Sequence, residues 1–309
     1  MRICFFGTPE FAVPSLRMLI NEGHDIAGVF TQPDRPKGRS KKPVPPPVKE
    51  LALSAGIPVF QFEKIRLEGL DALRELKPEI CVSAAFGQIF SKEIIDVAPL
   101  GIINVHASLL PKLRGAAPIQ WAIINGDTET GVTTMHTDEG IDTGDMILSA
   151  KTTILPDENS AELSLRLSEM GAELLCKTLR LIEKGEAPRH KQNEVDATRC
   201  PMLKKETGRI DWQMPVTDII NLIRGVNPWP GAYTSMGDGT LKIWKASAFD
   251  GEATGRPGEV IVADGKAGII VKAKDGALRL DEMQLPGGKR MSGADAARGR
   301  SFLGAVLGE

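Results

Sequence analysis

Apolar positions in the first 180 or so residues alternate between two periods. Short apolar runs at 2–6, 26–30, 80–85, 101–105 and 131–136 are bounded by Gly, Pro or charged residues, which predicts buried strands. Residues 58–60 read as extended, and a further strand is expected from 146 to 154. Between the strands, Val13, Leu16, Leu19 and Ile20 recur at helical spacing, predicting a helix over 10–21 with Gly23 as its stop. Helices are also expected at 48–55, 67–76, 91–97 and 119–125, the last with Pro118 suited to its first turn. The strongest helical signal lies at 160–184, where Leu163, Leu167, Met170, Leu174 and Leu181 form one stripe and Gly185 ends it. Strands alternating with helices predict an α/β fold with a mostly parallel sheet.

The pattern then changes. Residues 186–206 are polar and without periodicity, and read as a linker. Beyond Gly208, after a helix at 216–224, short strands are predicted at 233–235, 241–246, 258–263, 268–273 and 277–285. Gly-Asp and Asp-Gly turns separate them, the signature of a small β-barrel. The expected organisation is a Rossmann-like domain over 1–185, a linker over 186–207 and a barrel domain over 208–309.

Composition narrows the function classes. With 42% hydrophobic and 25% charged residues, the chain is ordinary for a globular protein. No apolar run approaches the ~18 residues of a spanning helix, and the N-terminus lacks a secretory pattern; a cytoplasmic location is expected. Cys4, Cys81, Cys176 and Cys200 are scattered, with no C-x-x-C pair, and read as buried fillers rather than a zinc or disulfide framework. The first βα turn lacks G-x-G-x-x-G, which argues against a nicotinamide dinucleotide.

A formal net charge of −2 confines any polyanion site to a local patch. One candidate stands out. From Arg35 to Lys49 the chain carries Arg35, Lys37, Arg39, Lys41, Lys42 and Lys49 and no acid, among prolines that preclude a regular helix or strand. The composition fits either a solvated loop or a phosphate-contacting one.

Candidate chemistry concentrates between 101 and 146. Asn104 and His106 stand two residues apart at a predicted strand end, so they project to the same side. Asp142 lies in the tight loop Gly140-Ile141-Asp142-Thr143-Gly144. Ligands of open α/β sheets bind at the carboxyl ends of strands. An amide donor, an imidazole and a carboxylate there can serve acyl transfer: Asn104 donating to an oxyanion, His106 donating or shuttling a proton, Asp142 orienting His106 or a water and taking a proton. His24, His136 and His190 lack such a setting and read as structural.

Three motifs carry a family resemblance: Asn-x-His-x-Ser-Leu-Leu-Pro from Asn104, Arg-Gly-Ala-Ala-Pro from Arg114, and Asp-x-Gly-x-Asp-Thr-Gly-Asp ending at Asp145. At these residues the chain resembles the formyltransferases that use 10-formyltetrahydrofolate. Phe6-Gly7-Thr8-Pro9-Glu10-Phe11 and Asn227-Pro228-Trp229-Pro230 are similar to members acting on methionyl-tRNA. The resemblance implies transfer of a formyl group from 10-formyltetrahydrofolate, as co-substrate and without a metal, to the α-amino group of methionine on initiator methionyl-tRNA. It implies Asn104, His106 and Asp142 as catalytic residues. Ser108, Leu109, Leu110, Pro111, Phe86 and Gly87 are implied to bind folate; Thr8 and Arg114 are further candidates to touch substrate. The basic loop, through Arg35, Lys37, Arg39, Lys41 and Lys42, is implied to enter the acceptor stem of the tRNA. An OB-like barrel contacting tRNA, no membrane association and a monomeric state complete the expectations.

Overall fold

A computed structural model describes residues 1–36, 38, 42–237 and 239–309. The chain divides into two compact units. The first comprises Met1–Pro118, Glu129–Thr152 and Ser164–Pro201; the second comprises Ile119–Thr128, Thr153–Leu163 and Met202–Glu309.

The first unit is built on a seven-stranded sheet. Its strands are β1 (Arg2–Gly7), β2 (Asp25–Thr31), β3 (Val59–Gln61), β4 (Ile80–Ala84), β5 (Ile102–His106), β6 (Glu129–His136) and β7 (Met146–Thr153). They lie in the order β7-β6-β5-β4-β1-β2-β3. Pairing from β3 through β5 is parallel, and β6 runs antiparallel to β5. The sheet is therefore mostly parallel, as the strand–helix alternation predicts.

Period-two alternation divides each strand between two faces. On one face Cys4, Phe6, Phe30, Cys81 and Ile102 join Ile65, Leu73, Phe86 and Ile94 in one core. Phe6 stacks on Phe30 at 4.8 Å between ring centroids and meets Phe86 edge-on at 5.3 Å. On the other face, Gly171 lies so close to β5 and β6 that an added Cβ would sit 2.8 Å from Val105 Cγ1. Gly171 belongs to the long helix α5, which spans Ser160–Lys184 as the apolar stripe predicts. Further helices are α1 (Val13–Asn21), α2 (Pro47–Ser54), α3 (Leu70–Leu76) and α4 (Pro118–Ile124), and the helix expected over 91–97 is a short one at Lys92–Ile95. The helix expected over 67–76 starts earlier and breaks at Gly69, between Ile65–Glu68 and α3.

The stretch read as a linker includes one short strand. Arg199–Cys200 pairs in parallel with Arg114–Gly115, and the first unit extends to Pro201.

The second unit holds a six-stranded antiparallel sheet and helix α6 (Val216–Gly225). The strands are β8 (Ala232–Met236), β9 (Gly239–Phe249), β10 (Val260–Asp264), β11 (Gly268–Lys272), β12 (Ala277–Gln284) and β13 (Arg290–Ser292), followed by α7 (Gly293–Gly299). The order is β8-β9-β12-β11-β10, with β13 on β12. This path is open, so the strands alone form no closed barrel. The C-terminal tail runs along both edges instead: Gly308 N donates to Ser235 O of β8, and Val260 N of β10 donates to Ala305 O. Trp212, Ile219, Ile243, Val271, Leu280 and Leu307 are among the buried residues of this core.

Candidate active site

Ile102 faces the aromatic core, so Asn104 and His106, two and four residues on, continue that face to the carboxyl end of β5. There they meet Asp142, which the turn between β6 and β7 delivers. Asn104 Nδ2 lies 3.5 Å from Asp142 Oδ1. His106 Nδ1 lies 3.6 Å from the same oxygen. Both separations are longer than a good hydrogen bond, leaving Oδ1 as a point of convergence without a committed partner. The other oxygen is anchored: Gly115 N donates to Asp142 Oδ2 at 2.9 Å.

The imidazole is oriented from behind. His106 Nε2 is 3.0 Å from the carbonyl oxygen of Leu113. A carbonyl only accepts, so Nε2 carries a proton toward Leu113, and Nδ1 is the ring nitrogen that faces Asp142. His106 is 5% exposed, which protects this arrangement from water.

Both partner loops adopt left-handed backbone. Asp142 has φ 54° and Leu113 has φ 58°. An aspartate tolerates that region; a leucine there costs about 1–2 kcal/mol. Leu113 is held by the 192–200 segment. Its N–H donates to Thr198 Oγ1 at 2.8 Å, and its carbonyl, besides His106, accepts from Cys200 Sγ at 3.1 Å. Burial pushes the Cys200 thiol up to about 11, so it stays a neutral donor. Arg114, 5% exposed, donates through Nε to Gln192 Oε1 at 2.9 Å and through both terminal nitrogens to Glu194. Those hydrogen bonds hold the Glu194 carboxyl below its ordinary value.

The structure thus brings Asn104, His106 and Asp142 together. The folate candidates differ in the surfaces they offer. Ser108 is buried and donates to Lys112 O at 2.6 Å. Leu110 is buried, while Leu109 and Pro111 are half-buried and can present an apolar wall. The Phe86 ring is in the core, so its turn offers a ligand only backbone. Thr8 Oγ1 donates to Phe86 O at 3.0 Å, and Gln32 Nε2 to Gly87 O at 3.1 Å. Arg114 is committed to Gln192 and Glu194.

Lys37, Arg39 and Lys41 of the basic loop lie outside the described residues. Arg35 pairs with Glu63, and Lys42 is exposed. Lys49 is tied down: its Nζ bonds Asp34 Oδ1 and Gln61 Oε1, each at 2.8 Å. No side chain of His24, His136 or His190 is among those converging on Asp142; burial, then the Arg189 charge, lowers the pKa of His136. Among the described residues no group of three or more His, Cys, Asp or Glu could hold a metal ion, and no helix is long and apolar enough to cross a membrane.

Gln192, Glu194 and Thr198 escape sequence reasoning. They stand 48 to 85 residues from their partners, in a stretch with no periodicity.

The family pattern described as Formyl transferase matches residues 1–179. The one described as Formyl transferase, C-terminal domain, matches residues 202–301. The methionyl-tRNA formyltransferase of Geotalea uraniireducens is 49% identical, over 100% of this chain and 98% of its own. That of Clostridioides difficile is 49% identical over the full length of both. Among solved structures, an N-formyltransferase from Helicobacter canadensis in complex with folinic acid and dTDP-3-aminofucose is 21% identical with a TM-score of 0.68, covering 94% of this chain and 99% of its own. HypX from Aquifex aeolicus, in complex with tetrahydrofolic acid, is 19% identical with a TM-score of 0.64, covering 96% of this chain and 46% of its own. At these identities the likeness to the solved structures is one of fold.

Proposed function

The chain belongs to the formyl transferase family, and from that premise we propose that it transfers the formyl group of 10-formyltetrahydrofolate to the α-amino group of methionine on initiator methionyl-tRNA. The product supplies translation initiation. The observation that carries the chemistry is the convergence of Asn104 and His106 on one uncommitted oxygen of Asp142. The acceptor is supported by near-half identity to methionyl-tRNA formyltransferases along the whole chain.

In the reaction a neutral amine attacks the formyl carbon. A new C–N bond forms, the bond to the folate nitrogen breaks, the amine loses a proton and the folate nitrogen gains one. Asn104 Nδ2 donates to the formyl oxygen as negative charge gathers there; a donor of this kind is worth ~10²–10³ in rate. His106, held through Nε2 by Leu113 O, receives the amine proton at Nδ1 and returns it to the leaving nitrogen. Asp142 Oδ1 stabilises the imidazolium formed in between, while Gly115 keeps the other oxygen still. Neutral amine attack needs no covalent nucleophile.

Leu109, Leu110 and Pro111, with Ser108 and the backbone of Phe86 and Gly87, form the folate-binding surface of this reading. Arg35, Lys37, Arg39, Lys41 and Lys42 contact the tRNA acceptor stem, and mainly position it through phosphates. Residues 1–185 carry catalysis, 208–309 form a tRNA-contacting OB-like barrel whose open edges the C-terminal tail bridges, and 186–207 join them. The protein acts as a monomer in the cytoplasm.

The test is a choice of acceptor. The protein is incubated with 10-formyltetrahydrofolate and either charged initiator tRNA or glycinamide ribonucleotide, and the formylated product is identified by mass. Formylmethionyl ester from the tRNA alone is the expected result. Formylation of the ribonucleotide amine instead would overturn the acceptor; formylation of neither would overturn the reading.

A further inference from the structure

We propose that Gln192 is a positioning residue for Asp142, setting the catalytic turn through its backbone so that the carboxylate stays free for substrate. The inference rests on the reading of Asp142 above.

The geometry of Gln192 admits one orientation. Its Nε2 lies 2.8 Å from Asp142 O and 2.8 Å from Gly144 O. Both are carbonyls, so the amide must donate there. Its Oε1 lies 2.9 Å from Arg114 Nε, which has no lone pair to offer, so the oxygen must accept. A flipped amide would set donor against donor and acceptor against acceptor. The two carbonyls straddle Thr143, so a single NH2 group pins the turn carrying Asp142 at φ 54°. The turn is gripped from its other side as well: Gly144 has no room for a Cβ, which would run into His136 O.

Arg114 fixes Gln192 in turn. It is a buried cation, and a buried charge is stable only when paired. Glu194 supplies that pairing at both terminal nitrogens, leaving Nε for Gln192. The compensated pair therefore grips the turn through a neutral amide. Had a cation bound Asp142 directly, it would have taken Oδ1, the oxygen on which Asn104 and His106 converge. Gln192 delivers the same hold through the backbone, away from the carboxylate. A part of the chain that touches no reacting atom thereby sets the geometry of the reaction, in which a displacement of ~1 Å can cost ~10² in rate.

The test is a double-mutant cycle on the full chain. Gln192→Ala should lower turnover about tenfold to a hundredfold. KM for either substrate should stay within about twofold, because the hydrogen bonds of Gln192 run to Arg114, Asp142 and Gly144. Gln192→Glu keeps the partner of Arg114 but turns a carboxylate oxygen toward two carbonyls, and should lose at least as much. Combined with Asp142→Ala, Gln192→Ala should cost no more than about a further twofold, because its effect runs through Asp142. Parent turnover in Gln192→Ala or Gln192→Glu, a raised KM with unchanged turnover, or multiplying losses in the double variant would each overturn the proposal. So would failure of both single variants to fold, read by circular dichroism, since the role would then be structural. Parent turnover in Asp142→Ala would instead defeat the assignment of Asp142 on which the proposal stands.

Discussion

His106 Nε2 donates to the carbonyl of Leu113 at 3.0 Å, and this one bond leaves Nδ1 as the ring nitrogen on the side of Asp142. It orients the ring so that Nδ1 lies 3.6 Å from Asp142 Oδ1. The orientation of the imidazole is therefore set by a backbone carbonyl seven residues along the chain.

His106→Ala should lower turnover by ~10²–10⁴ while leaving tRNA affinity near that of the parent. The remaining activity should depend on pH differently, because the titrating base has gone. The measurement is kcat against pH for both proteins. An unchanged profile would show that His106 does not carry the proton.

Gly115 is the second anchor. At φ 124° it occupies backbone that other residues rarely adopt, and a Cβ there would meet Cys200 O. Its N–H also holds Asp142 Oδ2. Gly115→Ala should therefore cost about 1–3 kcal/mol of stability and depress turnover as well. Urea unfolding with the formylation assay checks both; parent behaviour in both would show that this close approach can relax freely.

The basic loop and its base should behave differently. Lys49 is bound to Asp34 and Gln61 and is 20% exposed, so Lys49→Ala should lower stability and leave the salt slope of tRNA binding unchanged. Arg39→Ala with Lys41→Ala and Lys42→Ala should instead weaken tRNA binding and flatten that slope by roughly 0.7–0.9 for each phosphate no longer neutralised. Binding titrations at several salt concentrations separate the two. Unchanged formylation by the triple variant at high salt would remove the loop from tRNA recognition.

How much of this could be read from sequence differed by element. Helix α5 was legible to its ends because five apolar residues keep one stripe over many turns. Asn104 and His106 were legible as a pair because the two-residue strand period forces them onto one side. Gln192 and Thr198 were not, because their hydrogen bonds join segments dozens of residues apart and leave no periodic trace. The tail that bridges β8 and β10 through Ala305 and Gly308 was hidden for the same reason: it bonds through backbone groups, which every residue possesses.

The cysteines set an alkaline limit. Burial raises the Cys4 thiol from 9.0 to about 12 and Cys200 to about 11. The native state thus holds thiol protons that the unfolded chain releases near 9. This stabilisation is complete below that pH and is lost as pH rises through the folded values. Unfolding midpoints should be flat near neutrality and decline above pH ~9, less steeply in Cys200→Ala. A flat midpoint through that range would contradict the burial.

The central claim is that Asn104, His106 and Asp142 move a formyl group to methionyl-tRNA. Single-turnover transfer from 10-formyltetrahydrofolate to charged initiator tRNA, with enzyme in excess, tests it most directly. The parent should formylate the tRNA, and Asn104→Ala and Asp142→Ala should each do so ~10²-fold or more slowly at parent tRNA affinity. Near-parent transfer rates in both variants would contradict the account.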